Sequence, residues 1–431
     1  MKNERASINE GRPFSPGSRR VPASPAASAA GADRAHTPSV ALLTGGGDRP
    51  YALGLAKSLI GVGLTIDFIG SDFLQDAELM DSPRVRFLNL RGDVSADAPF
   101  SRKIMRILRY YVRLIRYAPT AKPTIFHILW NNKFELFDRT LLLLYYKLCG
   151  HRLVYTVHNI NIGERDGTDS IVNRLTLRMQ YSLVDHLFVH TEKMRDQLVK
   201  EFSVPVKKIS VVALPVNNTI PVTSLSQAEA RARLGVDASA KVILFYGAIT
   251  AYKGLSYLVE AMRIAAKDDS KFVLLIAGRP RGSVSYWNEI EKSISGTPLE
   301  ERVIRHIRFI PDEETETYFK ASDLLVLPYT AVFQSGVLLL GYNFGLPVIA
   351  TDVGSLKEYI IEGKTGLLCR PGDAADLAKS IRAYFSTPMY RDRDATQTFI
   401  REYSAKEYSW ERMAEQTMAI YAGTMRRERN L

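Results

Sequence analysis

The sequence predicts an α/β protein of two doubly wound domains that face each other across a cleft, and three observations carry that expectation. Short β-rich runs alternate with helical patterns along most of the chain, the spacing of βα units that build parallel sheets covered by helices. The alternation runs twice, and a polar stretch from Asn217 to Ser226 separates the two series. With 431 residues and 46% hydrophobic content, the chain is long and apolar enough to bury more than one core.

Taken in order, residues 1–38 are rich in Arg, Pro, Ser, Ala and Gly and lack apolar periodicity, so they are expected to form a disordered tail. Ser18-Arg19-Arg20 looks like the start of a twin-arginine export signal, but Val21 to Pro25 supplies no apolar segment behind it, and export is not expected. The first domain is expected over 39–218, with strands at 40–44, 64–70, 85–90, 124–130, 152–158, 186–191 and 208–213. The second is expected over 227–390, with strands at 241–247, 272–278, 303–310, 323–328 and 346–351. After Pro371-Gly372-Asp373 the pattern is helical to the end, and helices in 391–431 are expected to cross back to the first domain through Trp410 to Met425. Nowhere do about 18 apolar residues run without a charge or Pro, so no segment is expected to span a membrane. Cys149 and Cys369 stand far apart, which excludes a disulfide scaffold and a clustered thiolate zinc site and suits a reducing cytoplasm.

The strongest motif cluster lies in the second half. The 323–328 run reads as a buried strand, Gln334-Ser335-Gly336 as a polar turn, and the stretch up to Phe344-Gly345-Leu346-Pro347 as a helix apolar on every side. The first turn of such a helix presents unpaired N–H groups and about half a positive charge, which suits a pyrophosphate. Gly336 allows close approach of an anion, and the Ser335 hydroxyl can donate to it. A core helix with an ordinary serine cap gives the same pattern.

In the first half, Thr44-Gly45-Gly46-Gly47-Asp48-Arg49-Pro50 follows the first strand and places flexible backbone where an acceptor or phosphate can approach; Gly46, Gly47 and Asp48 are the candidates. The loop has neither the spacing of a dinucleotide fingerprint nor the Lys-Ser/Thr pair of a P-loop. Trp130 and Asn131 end the fourth strand, and Trp130 either stacks on an acceptor sugar or packs in a core or domain interface. His158, at the end of the fifth, faces the expected cleft, the other reading being a packed or capping histidine.

Tyr246-Gly247 with Lys253-Gly254, Ala277-Gly278, Asp323 to Pro328, Gly345-Leu346-Pro347-Val348-Ile349-Ala350, Asp352-Val353-Gly354, Glu358 and Gly363-Lys364-Thr365-Gly366-Leu367-Leu368 stand in family order, and the chain resembles the family 4 glycosyltransferases (glycosyl transferases group 1). The resemblance covers about 39–425 in architecture and is specific over about 241–372. It implies the GT-B fold, two Rossmann-like domains facing a cleft. A nucleotide-sugar donor is then held mainly by the second domain, with a polysaccharide or lipid-linked oligosaccharide acceptor on the first. Retaining hexose transfer with no cofactor and no metal is also implied. By resemblance Gly247 and Lys253 meet the donor and His158 and Lys253 are catalytic; Ser335 and Gly336 join them from the helix start, Gln334 and Glu358 as the polar residues nearest the missing glutamates, and Arg279 as a replacement phosphate charge, although Glu358 equally reads as a helix cap and Arg279 as a surface arginine. Ala248 stands where the family often has an Arg, and Val332 and Leu340 stand where it usually has two glutamates, which marks a divergent subgroup. No catalytic carboxylate pair stands out, and this fits retention, in which the leaving phosphate oxygen takes the acceptor's proton.

The charge is concentrated in one place. Between Ser101 and Lys122 there are seven basic residues and no acidic ones. Arg102, Arg106, Arg109, Arg113 and Arg116 share one face of an expected helix, while Ile107, Leu108, Tyr111, Val112 and Ile115 fall largely on the other. That arrangement is either a solvated face on a helix packed against the sheet, or a docking face for an anionic membrane surface, with peripheral attachment to the inner face of the cell membrane. No nucleic-acid-reading motif accompanies the charge, so nucleic acid is disfavoured as a partner. Two other functions remain open from the residues: a nucleotide-sugar epimerase of the same fold, and a degenerate subunit that binds donor or glycan and supports a partner transferase.

Overall fold

The computed structural model describes residues 39–95, 98–165, 167–217, 220–267, 269–282 and 284–426, so the expected disordered tail lies outside the described residues. The first sheet holds β1 (Ser39–Leu43), β2 (Thr65–Ile69), β3 (Val85–Leu88), β4 (Ile125–Ile128), β5 (Arg152–Thr156), β6 (His186–Val189) and β7 (Ile209–Val211), in the order β3-β2-β1-β4-β5-β6-β7. The second holds β8 (Lys241–Tyr246), β9 (Phe272–Ala277), β10 (Val303–His306), β11 (Leu324–Leu327), β12 (Val348–Thr351) and β13 (Gly366–Cys369), in the order β10-β9-β8-β11-β12-β13. Every pairing between these strands is parallel. In β4, β6, β11 and β12 every residue is buried, the pattern of strands covered by helices on both faces.

All twelve expected strands are present. Most end before the expected residue, because the chain leaves the sheet edge there to form the loops that line the cleft. The strand at Gly366–Cys369 is not among those anticipated. A Cβ on Gly366 would lie 1.9 Å from the carbonyl oxygen of Val348, so only glycine lets β13 start against β12.

The strand order reverses between β1 and β4 and again between β8 and β11, and each reversal opens a crevice at the carboxyl ends of its strands. The chain passes between the lobes twice, and the two passages are tied where the Val216 N–H donates to the Tyr408 carbonyl at 2.8 Å. The Trp410–Arg426 helix then lies on the Arg49–Gly61 helix of the first lobe: a Cβ on Gly54 would sit 2.2 Å from the Trp410 ring. Its Tyr421 hydroxyl meets His127 Nδ1 at 2.5 Å, and His127 Nε2 meets Thr156 Oγ1 at 2.7 Å, all of them buried beneath the sheet's switch point.

The basic helix forms over Phe100–Tyr117, but its packing differs from the sequence expectation. Tyr110, Tyr111 and Leu114 are buried, with Ile107 packed beside them, whereas Leu108, Val112 and Ile115 are exposed. The stripe that meets the sheet runs 107, 110, 111, 114, at the three- and four-residue spacing of one helical face, and this turns the other three apolar residues to solvent.

Candidate active site

Gly247 follows β8 with φ +100° and Gly278 follows β9 with φ +154°, and a Cβ on Gly278 would lie 1.8 Å from the Gly247 carbonyl oxygen. Two glycines thus let the strand ends press together. Beside them opens a cavity of about 730 Å³ lined by Gly247, Ala248, Arg279, Arg281, Arg308 and Leu340, among others. Arg308 pairs with Glu314, and the Arg279 guanidinium lies 5.3 Å from the centre of the Phe309 ring. Leu340, at one of the two glutamate positions of the resembled family, offers this cavity an apolar wall. Arg308 and Phe309 escape sequence reasoning; the signal that finds them is their place beyond the carboxyl end of β10, next to β9.

Lys253 ends a short turn, Ala251–Lys253, stopped by Gly254 at φ +67°. A Cβ on Gly254 would lie 1.9 Å from the Pro328 carbonyl oxygen, so this turn is held against the end of β11. The Lys253 Nζ lies 3.2 Å from where a Cβ on Gly247 would be and 5.6 Å from the centre of the Tyr329 ring. No carboxylate pairs with it among the described residues. Burial pushes the ammonium below its usual pKa range, and the nearby Arg281 adds to the effect.

The Gly336–Asn343 helix begins at the same spot: Val337 Cγ2 lies 3.6 Å from that same Gly247 Cβ position. The Ser335 Oγ accepts from the Leu338 N–H at 3.4 Å, so the serine acts as the helix cap. The amides of Gly336 and Val337 precede any intrahelical acceptor, and a Cβ on Gly336 would meet nothing within 4 Å. Lys253, two free amides and open space therefore converge at one point.

The first lobe contributes His158. Its ring lies parallel to Trp130 at 4.3 Å between centres, and the edge of Tyr51 meets it at 4.7 Å. His190 Nδ1 lies 2.9 Å from the Val212 carbonyl, which only accepts, so the network assigns the proton to Nδ1 and leaves Nε2 an acceptor. His158 Nδ1, at 3.2 Å from that Nε2, must then carry its own proton. Its Nε2 is left a bare acceptor, buried and without a partner. Burial first, then His190 and His127, hold the His158 pKa well below the ordinary value of 6.5, so the ring is neutral. Gln334 donates from Nε2 to the His158 carbonyl at 3.4 Å, and its Oε1 is likewise buried without a partner. Thr250 Oγ1 and the Tyr329 hydroxyl, which sequence reasoning passes over, are unpaired too.

Several expected roles are corrected. Glu358 is engaged away from the cavity: its two carboxylate oxygens each accept at 2.9 Å from the amides of Glu192 and Lys193, the first turn of the Glu192–Phe202 helix in the other lobe. Thr191 and Ser355 share a hydroxyl contact of 2.6 Å beside it. This junction is a latch between the lobes, worth about 0.3–1 kcal/mol as an exposed carboxylate at a helix N-terminus. Glu358→Ala is therefore expected to raise the radius of gyration of the ligand-free protein in small-angle scattering; an unchanged profile contradicts the latch.

The acceptor candidates also change. Asp48 Oδ1 accepts from the Tyr51 N–H at 2.9 Å and caps the Arg49–Gly61 helix. Arg91 donates to the Gly45 carbonyl at 2.7 Å and fills the space over Gly46. Gly47 lies under the Trp130 ring, 2.0 Å from which a Cβ would fall. The loop is thus clamped rather than open, and Trp130 stacks on His158. Asn131 is held by a reciprocal amide pair with Gln180, at 3.2 and 3.3 Å. Gly47→Ala is expected to displace Trp130 and cost about 1–3 kcal/mol of stability, read in chemical denaturation; a variant as stable as the wild type contradicts this packing.

Residues 226–401 match the family described as Glycosyl transferases group 1, and residues 45–219 match Glycosyltransferase Family 4. A D-inositol 3-phosphate glycosyltransferase from Streptosporangium roseum is 26% identical over 290 residues, 64% of this chain and 65% of that protein. The chain thus spans just under two thirds of the length of the curated relatives it matches. Among solved structures, sucrose-phosphate synthase from Thermosynechococcus elongatus superposes with a TM-score of 0.70 at 19% identity, covering 90% of this chain and 99% of that one. Alr3699/HepE from Anabaena, in complex with UDP-glucose, superposes with a TM-score of 0.65 at 17% identity, covering 90% and 100%. With a family match on each lobe and the paired-sheet GT-B architecture of these structures, the chain belongs to the group 1 glycosyltransferases of family 4.

Proposed function

We propose that the protein is a retaining transferase that moves a hexose from a nucleotide sugar to a glycan or lipid-linked glycan acceptor. One observation carries the reading: unpaired donors and unpaired acceptors stand side by side at the junction of the lobes. Lys253 and the amides of Gly336 and Val337 are donors without acceptors, the complement of a diphosphate. His158 Nε2 and Gln334 Oε1 are acceptors without donors, the complement of sugar hydroxyls. The 730 Å³ cavity beyond Gly247 has room for a nucleoside, and Arg279 and Arg281 add positive charge to it. The names of the relatives, an inositol phosphate glycosyltransferase and a structure holding UDP-glucose, support this reading.

In the transfer, the bond from the anomeric carbon to the diphosphate oxygen breaks and a bond to the acceptor oxygen forms on the same face. The acceptor's proton passes to the departing phosphate oxygen. The protein's share is electrostatic: Lys253 and the helix end meet the charge that grows on the diphosphate, without a metal, while His158 and Gln334 orient the sugar. The setting is a reducing cytoplasm, in which Cys149 and Cys369 stay free thiols.

Calorimetric titration with UDP, GDP, UDP-glucose and GDP-mannose tests the reading. Saturable binding of one base series is expected, and no binding of any of the four overturns it. Val332 and Leu340, in place of the glutamate pair, favour a second reading, a subunit that binds donor without turning it over; donor binding with no release of nucleoside diphosphate in the presence of acceptor-containing membranes would select it.

A further inference from the structure

The Phe100–Tyr117 helix has three sectors rather than two. One is buried against the sheet, through Tyr110, Tyr111 and Leu114. A second carries the arginines, of which Arg106 pairs with Asp93 and Arg113 donates to the Leu90 carbonyl. Arg102, Arg109 and Arg116 have no acidic partner among the described residues. The third is apolar and exposed: Ile104, Met105, Leu108, Val112 and Ile115, with Met105 at 54%, Leu108 at 46% and Val112 at 55% exposure.

At 100° per residue the apolar sector lies directly between the buried sector and the arginines. It continues onto the neighbouring element, where the Tyr145 hydroxyl donates to the Ile115 carbonyl at 2.8 Å and Leu141, Leu144 and Leu148 are also exposed. A contiguous exposed apolar strip of this kind is the mark of an interaction surface.

We propose that this helix lies in the plane of an anionic lipid surface, its apolar strip inserted among the acyl chains and its arginines at the headgroup phosphates. Charge selects the occupant. The helix's 18 residues hold six basic side chains and no acidic one, and arginine stems cover apolar surface while their guanidinium groups stay at the polar boundary. Insertion also separates this surface from electrostatic adsorption alone, because an inserted strip resists salt. The inference does not depend on the transfer reaction, and its readout is binding rather than turnover.

The test is flotation of the full chain with phosphatidylcholine vesicles, with and without phosphatidylglycerol, at low and high salt. Binding is expected only where the anionic lipid is present, and part of it should survive high salt. Leu108→Ser with Val112→Ser changes two exposed positions and is expected to lower vesicle affinity by about tenfold; Arg109→Glu with Arg116→Glu is expected to do the same while circular dichroism stays unchanged. In a Cys149→Ser background, an environment-sensitive dye on Val112→Cys should shift to the blue when anionic vesicles are added. Equal flotation with neutral vesicles overturns the proposal, as does a double serine variant that floats like the wild type. So does a dye already shielded in a dimer without lipid, which would make a second copy the occupant.

Discussion

Replacing Lys253 by Ala is expected to lower kcat/KM for the donor by roughly tenfold to a hundredfold, the 1.5–3 kcal/mol of one charge-assisted hydrogen bond. The expectation is large because only the helix end shares this task with Lys253. Ala248 supplies no second cation in the turn after β8, and no carboxylate offsets the ammonium among the described residues. The same change should leave the ligand-free protein at least as stable, since it removes a cation that burial disfavours. The sign of its pH dependence follows: with the folded pKa below that of the unfolded chain, the unfolded state holds the proton more tightly. Wild-type stability then rises as pH climbs from the lowered value towards about 10.4, and the Ala variant lacks that rise. Steady-state kinetics and thermal melts check both halves. Activity lost together with stability would mean that Lys253 serves the fold rather than the diphosphate.

Mild acid is expected to destabilise the first lobe. Burial lowers the pKa of His127 to about 3 and of His190 to about 4, and that of His158 lies well below 6.5 as well. All three are neutral when folded and take up protons near 6.5 when unfolded, so the stability they confer is complete above that pH and is lost as pH falls below it. Asp138 opposes them in part. Its buried carboxyl is raised to about 6, so below that pH the folded protein binds a proton the unfolded chain does not. Three groups against one leave a net loss of about 3 kcal/mol between pH 7.5 and 5.5. In calorimetry this is a fall in Tm on the order of 10 °C. A Tm that is flat or rises over this range contradicts the neutral histidine cluster. It would also undo the proton assignment that leaves His158 Nε2 free for a sugar hydroxyl.

Much of the architecture is legible in the sequence because a parallel strand covered on both faces reads as an unbroken apolar run; Asp323 to Pro328 and 346–351 are such runs. The Gly336–Asn343 helix is legible for a related reason, since a helix apolar on every side has to lie inside. Side-chain destinations are a different matter. Glu358 sits among residues that resemble a donor site, yet its carboxylate meets amides more than 160 positions away in the other lobe, and no local pattern encodes that distance. Trp130 likewise finds its partner, His158, only when β4 and β5 pair. On the Phe100–Tyr117 helix, apolar residues cover more of the circumference than the sheet can accept, so the sequence leaves open which of them turn outward. The unpaired atoms of His158 and Gln334 are invisible until the lobes are brought together.

The most direct measurement is a crystal structure of the protein with the nucleoside diphosphate that binds best in calorimetry. The account predicts the distal phosphate within hydrogen-bonding distance of Lys253 Nζ and the amides of Gly336 and Val337, with the base in the cavity between Arg279 and Leu340. A diphosphate seated elsewhere, with Lys253 and the helix end untouched, would contradict it.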